Sequence, residues 1–183
     1  MKERPRNWDH GGIPPKESAV LLLIYDDGGE WKFPLIQRPT YEGAHSGQVS
    51  LPGGKYEETD TDLIDTAKRE TFEEIGVKPE IINVLGELSE LYVPPSNFNI
   101  KPVVGMACDK LDLVIDQREV EEVYHVTVGD LLDKNLRVQR DIKVGANVRI
   151  NVPCFDFGQT IVWGATAMIL SEFAGILETL NHE

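Results

Sequence analysis

Polar and proline-bearing positions dominate residues 1–17, and this stretch, with Pro5, Pro14, Pro15 and paired glycines, reads as an extended lead-in. The first apolar run, Ala19-Val20-Leu21-Leu22-Leu23-Ile24-Tyr25, has the length of a buried strand, and Ser18 starts it. Asp26-Asp27-Gly28-Gly29-Glu30 then turns the chain, so Trp31 to Arg38 reads as the returning strand of a hairpin. After a polar, glycine-bearing loop over 39–47, Gln48 to Leu51 predicts a short strand that runs into Pro52-Gly53-Gly54. Between Asp62 and Ile75 the period changes. Ile64, Ala67, Lys68, Thr71 and Ile75 recur at three- and four-residue spacing, Asp60, Thr61 and Asp62 are candidate caps, and Gly76 supplies the stop.

Strand signals return over Ile81 to Val93 and Phe98 to Cys108, with Pro94-Pro95-Ser96-Asn97 between them, and again over Val120 to Val126. Val128 to Leu132 reads as a short helix, and two further strand signals flank Gly145-Ala146-Asn147. From about Ala165 to Leu180 the residues Ala167, Leu170, Phe173, Ala174 and Leu177 form the apolar stripe of a closing helix. No repeat or linker interrupts the series. The expectation is one α+β domain over 1–183, a mixed sheet covered by helices.

Composition agrees with that picture: 183 residues, 41% hydrophobic and 27% charged, suit one packed core. No apolar run approaches the roughly 20 residues of a membrane span, so no membrane partner is expected. The basic start Met1-Lys2-Glu3-Arg4 has no apolar segment behind it, which argues against secretion. Cys108 and Cys154 are too few for a disulfide framework and read as reduced thiols, so a cytoplasmic location is expected. The net charge of −13 offers no basic excess to displace counterions from a nucleic acid. An acidic protein can still take a small phosphate ester when a metal ion supplies the positive charge.

The helix over 62–75 carries the chemistry. Glu70, Glu73 and Glu74 stand at i, i+3 and i+4, so at about 100° per residue they share one face. Like charges that close repel, and a cation is the natural resolution. Arg69, four residues before Glu73, can pair with it and orient the carboxylate. Gly53 and Gly54 let the backbone bend sharply before the helix, and a carbonyl there, that of Gly54, can add a hard oxygen ligand. All-oxygen ligation suits Mg²⁺ or Mn²⁺, and the scattered His10, His45, His125 and His182 have no zinc-ligand spacing.

Gly54, followed after fourteen residues by Arg69-Glu70-Thr71-Phe72-Glu73-Glu74-Ile75-Gly76-Val77, resembles the Nudix box. The spacing is one residue longer than the general pattern, and Thr71 fills a hydrophobic slot. The longer spacing leaves no glutamate at the first acidic position of the box, a place left to Glu57, Glu58 or Asp60. Upstream, Pro34-Leu35-Ile36-Gln37-Arg38 and His45-Ser46-Gly47-Gln48-Val49-Ser50-Leu51-Pro52-Gly53-Gly54 resemble the signature of the coenzyme A pyrophosphatase branch, which shares the longer box. Val162-Trp163-Gly164-Ala165-Thr166-Ala167 looks like the last helix of the same group.

The resemblance implies a Nudix-type α/β/α sandwich with a mixed central sheet. It also implies metal-dependent hydrolysis of a P–O–P bridge in a small-molecule diphosphate substrate. Glu70, Glu73 and Glu74, with Gly54, are then the metal site, holding Mg²⁺ or Mn²⁺. The base is one of these glutamates or one from another loop, with Glu119 first and Glu122 second. The catalytic set is accordingly Glu73, Glu74 and Glu119. Arg38, His45, Gln48 and Ser50 are the substrate-side residues, Gln48 and Ser50 serving equally well as supports of the metal loop. Arg69 and Gly53 are structural. Coenzyme A or one of its esters is the first substrate implied. Gly43, however, stands where that branch has an arginine, with Arg38 and Lys101 as substitutes, and this favours ADP-ribose, dinucleotides or nucleotide sugars. A non-catalytic Nudix-fold binding module is a third reading, and a homodimer is an assembly the family allows. Trp163-Gly164 is expected to pack the last helix, and the Tyr92–Asn97 loop to line the pocket.

Overall fold

The computed structural model describes residues 10–39, 47–108, 111–144 and 148–180. The long apolar run becomes β1 (Lys16–Asp26), which the Asp26–Glu30 turn joins to β2 (Trp31–Gln37). The turn is closed by the Gly29 N–H donating to Asp26 Oδ1 at 2.6 Å. Then follow β3 (Val49–Ser50), β4 (Gly53–Lys55) and helix α1 (Leu63–Ile75). Strands β5 (Ile82–Glu87), β6 (Leu91–Val93) and β7 (Phe98–Ala107) come next, and after a loop β8 (Glu122–Thr127) and helix α2 (Val128–Leu132). The chain closes with β9 (Arg137–Val144), β10 (Val148–Asp156), β11 (Ile161–Trp163) and helix α3 (Gly164–Leu180).

The main sheet runs β3-β2-β1-β7-β5, with β4 also on β1, β6 on β7 and β8 on β2. β1 is parallel to β7 and antiparallel to β2, so the sheet is mixed. Alternation along β1 divides the core. Ala19, Leu21, Leu23 and Tyr25 pack with Ala67 and Ile75 of α1, whereas Leu22 faces Leu170, Phe173 and Ala174 of α3. The layers are therefore helix, sheet, helix, as expected. The stripe anticipated for α3 is buried at Ala167, Leu170, Phe173 and Ala174. A second, three-stranded sheet, β11-β10-β9, sends Phe155 and Val162 into the same core as α3.

Three boundaries differ from the expectation, each for a local reason. The stretch from Ile81 to Val93 is two strands, because a register shift between Val84 and Gly86 bends β5 and Leu88 turns inward. The double glycine expected as a turn forms β4, since Gly53 and Gly54 pair with Val20 and Ala19. Asp62, alone of the three candidate caps, takes the N-cap of α1, its Oδ1 accepting the Asp65 N–H at 2.8 Å. The turn at Gly145-Ala146-Asn147 lies outside the described residues. Both cysteines are free, and among the described residues no helix is long and apolar enough to cross a membrane.

Candidate active site

The glutamate cluster forms where α1 ends against β4. Glu74 is fully buried, an unusual place for a carboxylate, and two neighbours hold it there. Its Oε2 accepts the Gly53 N–H at 2.8 Å, and its Oε1 lies 3.3 Å from Arg38 Nη2. Arg38 Nη2 also donates to the Gly53 carbonyl at 3.1 Å, so arginine, glycine and glutamate close one ring of contacts. Arg38, expected on the substrate side, thus has its guanidinium turned toward the carboxylates.

Gly54 explains itself through Glu70. A Cβ at Gly54 would sit 2.4 Å from the Glu70 carboxyl carbon, so the missing side chain is the space that Glu70 occupies. Gly53 is restricted differently. Its φ is +149°, and an added Cβ would meet the Ala19 carbonyl at 2.3 Å.

A third carboxylate arrives from elsewhere in the chain. α1 ends at Gly76 in the left-handed region, φ +75°, with its N–H donating to Phe72 O at 2.9 Å. The loop before β8 then caps the exposed end: the Val114 N–H donates to Ile75 O at 3.0 Å and the Asp116 N–H to Glu74 O at 3.1 Å. This docking carries Glu119 to the helix. Ligand oxygens of Glu70, Glu74 and Glu119 lie within 4.8 Å of one another.

Glu73, expected beside Glu70 and Glu74, stands outside that group among the described residues. Its half-exposed carboxylate pairs with Arg69 Nη1 at 2.9 Å. Arg69 does more than pair with Glu73. It bonds Glu70 at 3.0 Å, the Lys55 carbonyl at 3.0 Å and, through Nε at 2.7 Å, Asp60. Buried Asp60 also accepts the Glu57 N–H and the Thr66 hydroxyl. Its place as a clasp for Arg69 was not expected from the sequence, where it figured as a cap or as a stand-in acidic group. Nothing in the local pattern marks Asp60 as buried, because the contact depends on the turn over 57–60. Glu122 is in β8, bonded to the Tyr124 hydroxyl at 2.8 Å, apart from the cluster.

Of the other expected residues, Gln48 lines a cleft of about 620 Å³ between β2, β3 and the second sheet. The Ser50 hydroxyl is buried with no hydrogen-bond partner among the described residues. His45 and Gly43 lie outside the described residues. Lys101 is bound by Glu87 and Glu90. The Tyr92–Asn97 loop does not line that cleft. It secures the N-terminal segment instead, with Asn97 Nδ2 donating to the Pro14 carbonyl at 3.3 Å. Trp163 lines the cleft, a role that its expected packing against α3 did not suggest.

Burial decides the electrostatics of the cluster. It pushes the Glu74 carboxyl up to about 8, against the opposing pull of Arg38 and the Gly53 N–H, and the charges of Glu70 and Glu119 add to the rise. Glu70 is raised as well, again by burial first, with Arg69 opposing. Hard oxygen donors that resist sharing negative charge are the donor set a divalent cation relieves, and the residues present fit one.

Comparison with known proteins bears on the same residues. A family model described as the NUDIX domain matches residues 15–144, from β1 through α1 and Glu119 to the end of β9. The chain belongs to the Nudix family. Nudix hydrolase 15, mitochondrial, of Arabidopsis thaliana is 34% identical over 94% of this chain and 62% of its own length. The uncharacterised Nudix hydrolase NudL of Yersinia enterocolitica is 31% identical over 76% of this chain and 71% of its own. The chain thus spans less than two thirds of its plant relative. A Caenorhabditis elegans Ap4A hydrolase in a binary complex shares the fold, with a TM-score of 0.59 at 16% identity, covering 88% of this chain and 98% of that one. Nudix hydrolases generally use divalent metal ions, which agrees with the donor set of the cluster.

Proposed function

We propose that this Nudix protein hydrolyses the P–O–P bridge of a nucleoside diphosphate-linked small molecule, releasing two monophosphates. The observation that carries the reading is the convergence of Glu70, Glu74 and Glu119 from two separated segments. Mg²⁺, or Mn²⁺ in its place, is the proposed cofactor, with Glu70, Glu74 and Glu119 as its holders. Glu73, exposed and adjacent to Glu74, is a further ligand able to exchange Arg69 for a cation. When bound, the ion neutralises the diphosphate and lowers the pKa of a coordinated water.

The chain's own groups do the rest. Arg38 and the Gly53 N–H fix Glu74, and Arg69 fixes Glu70, so the negative groups need little reorganisation during reaction. Glu119 is exposed, and the carboxylate oxygen that it does not offer to the ion is the proposed acceptor of the proton from the attacking water. Gln48 lies on the cleft side, where the rest of the substrate would extend.

Coenzyme A or one of its esters is the first proposed substrate, on the strength of the motif from Pro34 to Gly54. Gly43, in place of an arginine, supports a second reading: ADP-ribose, a dinucleotide or a nucleotide sugar, none of which needs a cation for a 3′-phosphate. Incubation with coenzyme A, NADH, ADP-ribose and a dinucleoside polyphosphate, in Mg²⁺ and in Mn²⁺, separates these when both products are identified by mass. Tight binding without turnover on every substrate would leave a binding module instead.

A further inference from the structure

The cleft between the two sheets has two unlike walls. One is the outer face of the small sheet. Val162 and Phe155 are paired across β11 and β10 and point into the core, so their neighbours Ile161 and Trp163 present the opposite face. Ile161, Trp163 and Ile142 line the cleft on that side. Lys143, Asp156 and Thr160 stand on the same side, and Gln37 and Gln48, at the ends of β2 and β3, face them. At about 620 Å³ the space is of the size that small ligands occupy.

Gln37 is held in one orientation. The Tyr124 hydroxyl makes a short contact with Gln37 Oε1 at 2.5 Å. With the amide oxygen on Tyr124, the NH₂ end of Gln37 faces away from it and is a donor fixed in direction. Exposed Glu122 shares the same hydroxyl at 2.8 Å, so Tyr124 stands between the carboxylate and the amide. Gln37 is also the hinge between cleft and carboxylates. Its carbonyl accepts the Glu121 N–H at 2.8 Å, two residues beyond Glu119, and the next residue, Arg38, reaches Glu74.

We infer that this cleft is the base-binding subsite, in which Trp163 offers the stacking surface and Gln37, positioned by Tyr124, donates to a ring acceptor of the nucleobase. An indole face beside amide groups suits a planar heterocycle with polar atoms on its edge, and Arg38, next in the chain to Gln37 and paired with Glu74, ties the cleft to the carboxylates where the diphosphate of the same molecule would lie. The inference rests on the diphosphatase reading above.

The test is calorimetric binding of AMP, ribose 5-phosphate and 4′-phosphopantetheine to the full chain without added metal. AMP should bind at least about tenfold more tightly than ribose 5-phosphate, and Trp163→Ala should remove about tenfold of that affinity. Trp163→Phe should keep most of it. Should Trp163→Ala fail to fold, Ile161→Asp, at a partly exposed position on the same wall, should weaken AMP in its place. Tyr124→Phe should weaken AMP severalfold and, with a diphosphate substrate, raise KM more than it lowers kcat. Equal binding of AMP and ribose 5-phosphate, native AMP affinity in Trp163→Ala or Ile161→Asp, or loss of phosphopantetheine instead of AMP would overturn the assignment. Absence of turnover on every diphosphate, with AMP binding intact, would instead sink the proposed reaction and leave the subsite standing.

Discussion

The Asp116 N–H donates to the Glu74 carbonyl oxygen at 3.1 Å, and that bond ties the loop bearing Glu119 to the helix bearing Glu70 and Glu74. The helix end and the carboxylate site are thus one construction: the carbonyls that α1 leaves unpaired are the dock for the third glutamate. Substitutions of the three glutamates should therefore act on chemistry before they act on fold. Glu74→Gln keeps the shape of the buried group and removes a charge that burial already disfavours. Its metal-free thermal midpoint should stay within a few degrees of the native one, while turnover falls by about 10² or more. Glu119→Gln should lose activity on the same scale. Full turnover in both variants would show that the cluster is not the site.

Gly53 and Gly54 are adjacent but should fail in different ways. Alanine at Gly54 first meets the end of the Glu70 side chain, which can move, so Gly54→Ala should fold and lose metal affinity and turnover. Alanine at Gly53 meets backbone of β1 at 2.3 Å and 2.6 Å and adopts a disfavoured φ, so Gly53→Ala should be strongly destabilised. Urea denaturation alongside activity measurements separates the two.

The Asp60–Arg69 clasp should appear as acid sensitivity. Arg69 beside Asp60 holds its carboxyl well below the usual carboxylate range, helped by the Glu57 N–H and the Thr66 hydroxyl. With the folded pKa depressed, the stabilisation is complete above the unfolded value of about 3.9 and is lost as the pH falls toward the folded one. Asp60→Asn should remove this acid-labile part and cost about 2 kcal/mol near neutrality, because Arg69 loses one charged acceptor and keeps Glu70 and Glu73. Urea midpoints measured between pH 2 and 7 would test it; a parallel pH dependence in both proteins contradicts the assignment.

The sign is reversed for Glu74. Its folded pKa is raised to about 8, so the contribution is fully present below the unfolded value of about 4.3 and is lost as the pH rises through 8. The metal-free protein should weaken over that interval, and Mg²⁺ should reverse the loss. Cation binding must displace the proton, so affinity should increase with pH up to about 8, with proton release measurable in buffers of different ionisation enthalpy. A pH-independent affinity with no proton release would contradict it.

The layered fold and the glutamate helix were legible because both depend on short-range pattern. The continuous apolar run of β1 and the period of 3.6 along α1 and α3 survive into the structure nearly unchanged. The box itself is local, and Arg69 pairs with Glu73 as its spacing suggests. What the sequence hid depends on distant segments meeting. Burial of Glu74 follows from Gly53 and Arg38 arriving beside it. Asp60 becomes a clasp only once the turn over 57–60 returns on α1. Trp163 reads as helix packing until β11 pairs with β10 and alternation turns it outward.

Anomalous diffraction from crystals soaked in Mn²⁺ would show whether Glu70, Glu74 and Glu119 together hold the divalent ion. A peak is expected within about 2.5 Å of a carboxylate oxygen from each of the three residues. A peak that excludes Glu119 and Glu74, or none at saturating Mn²⁺, would contradict it.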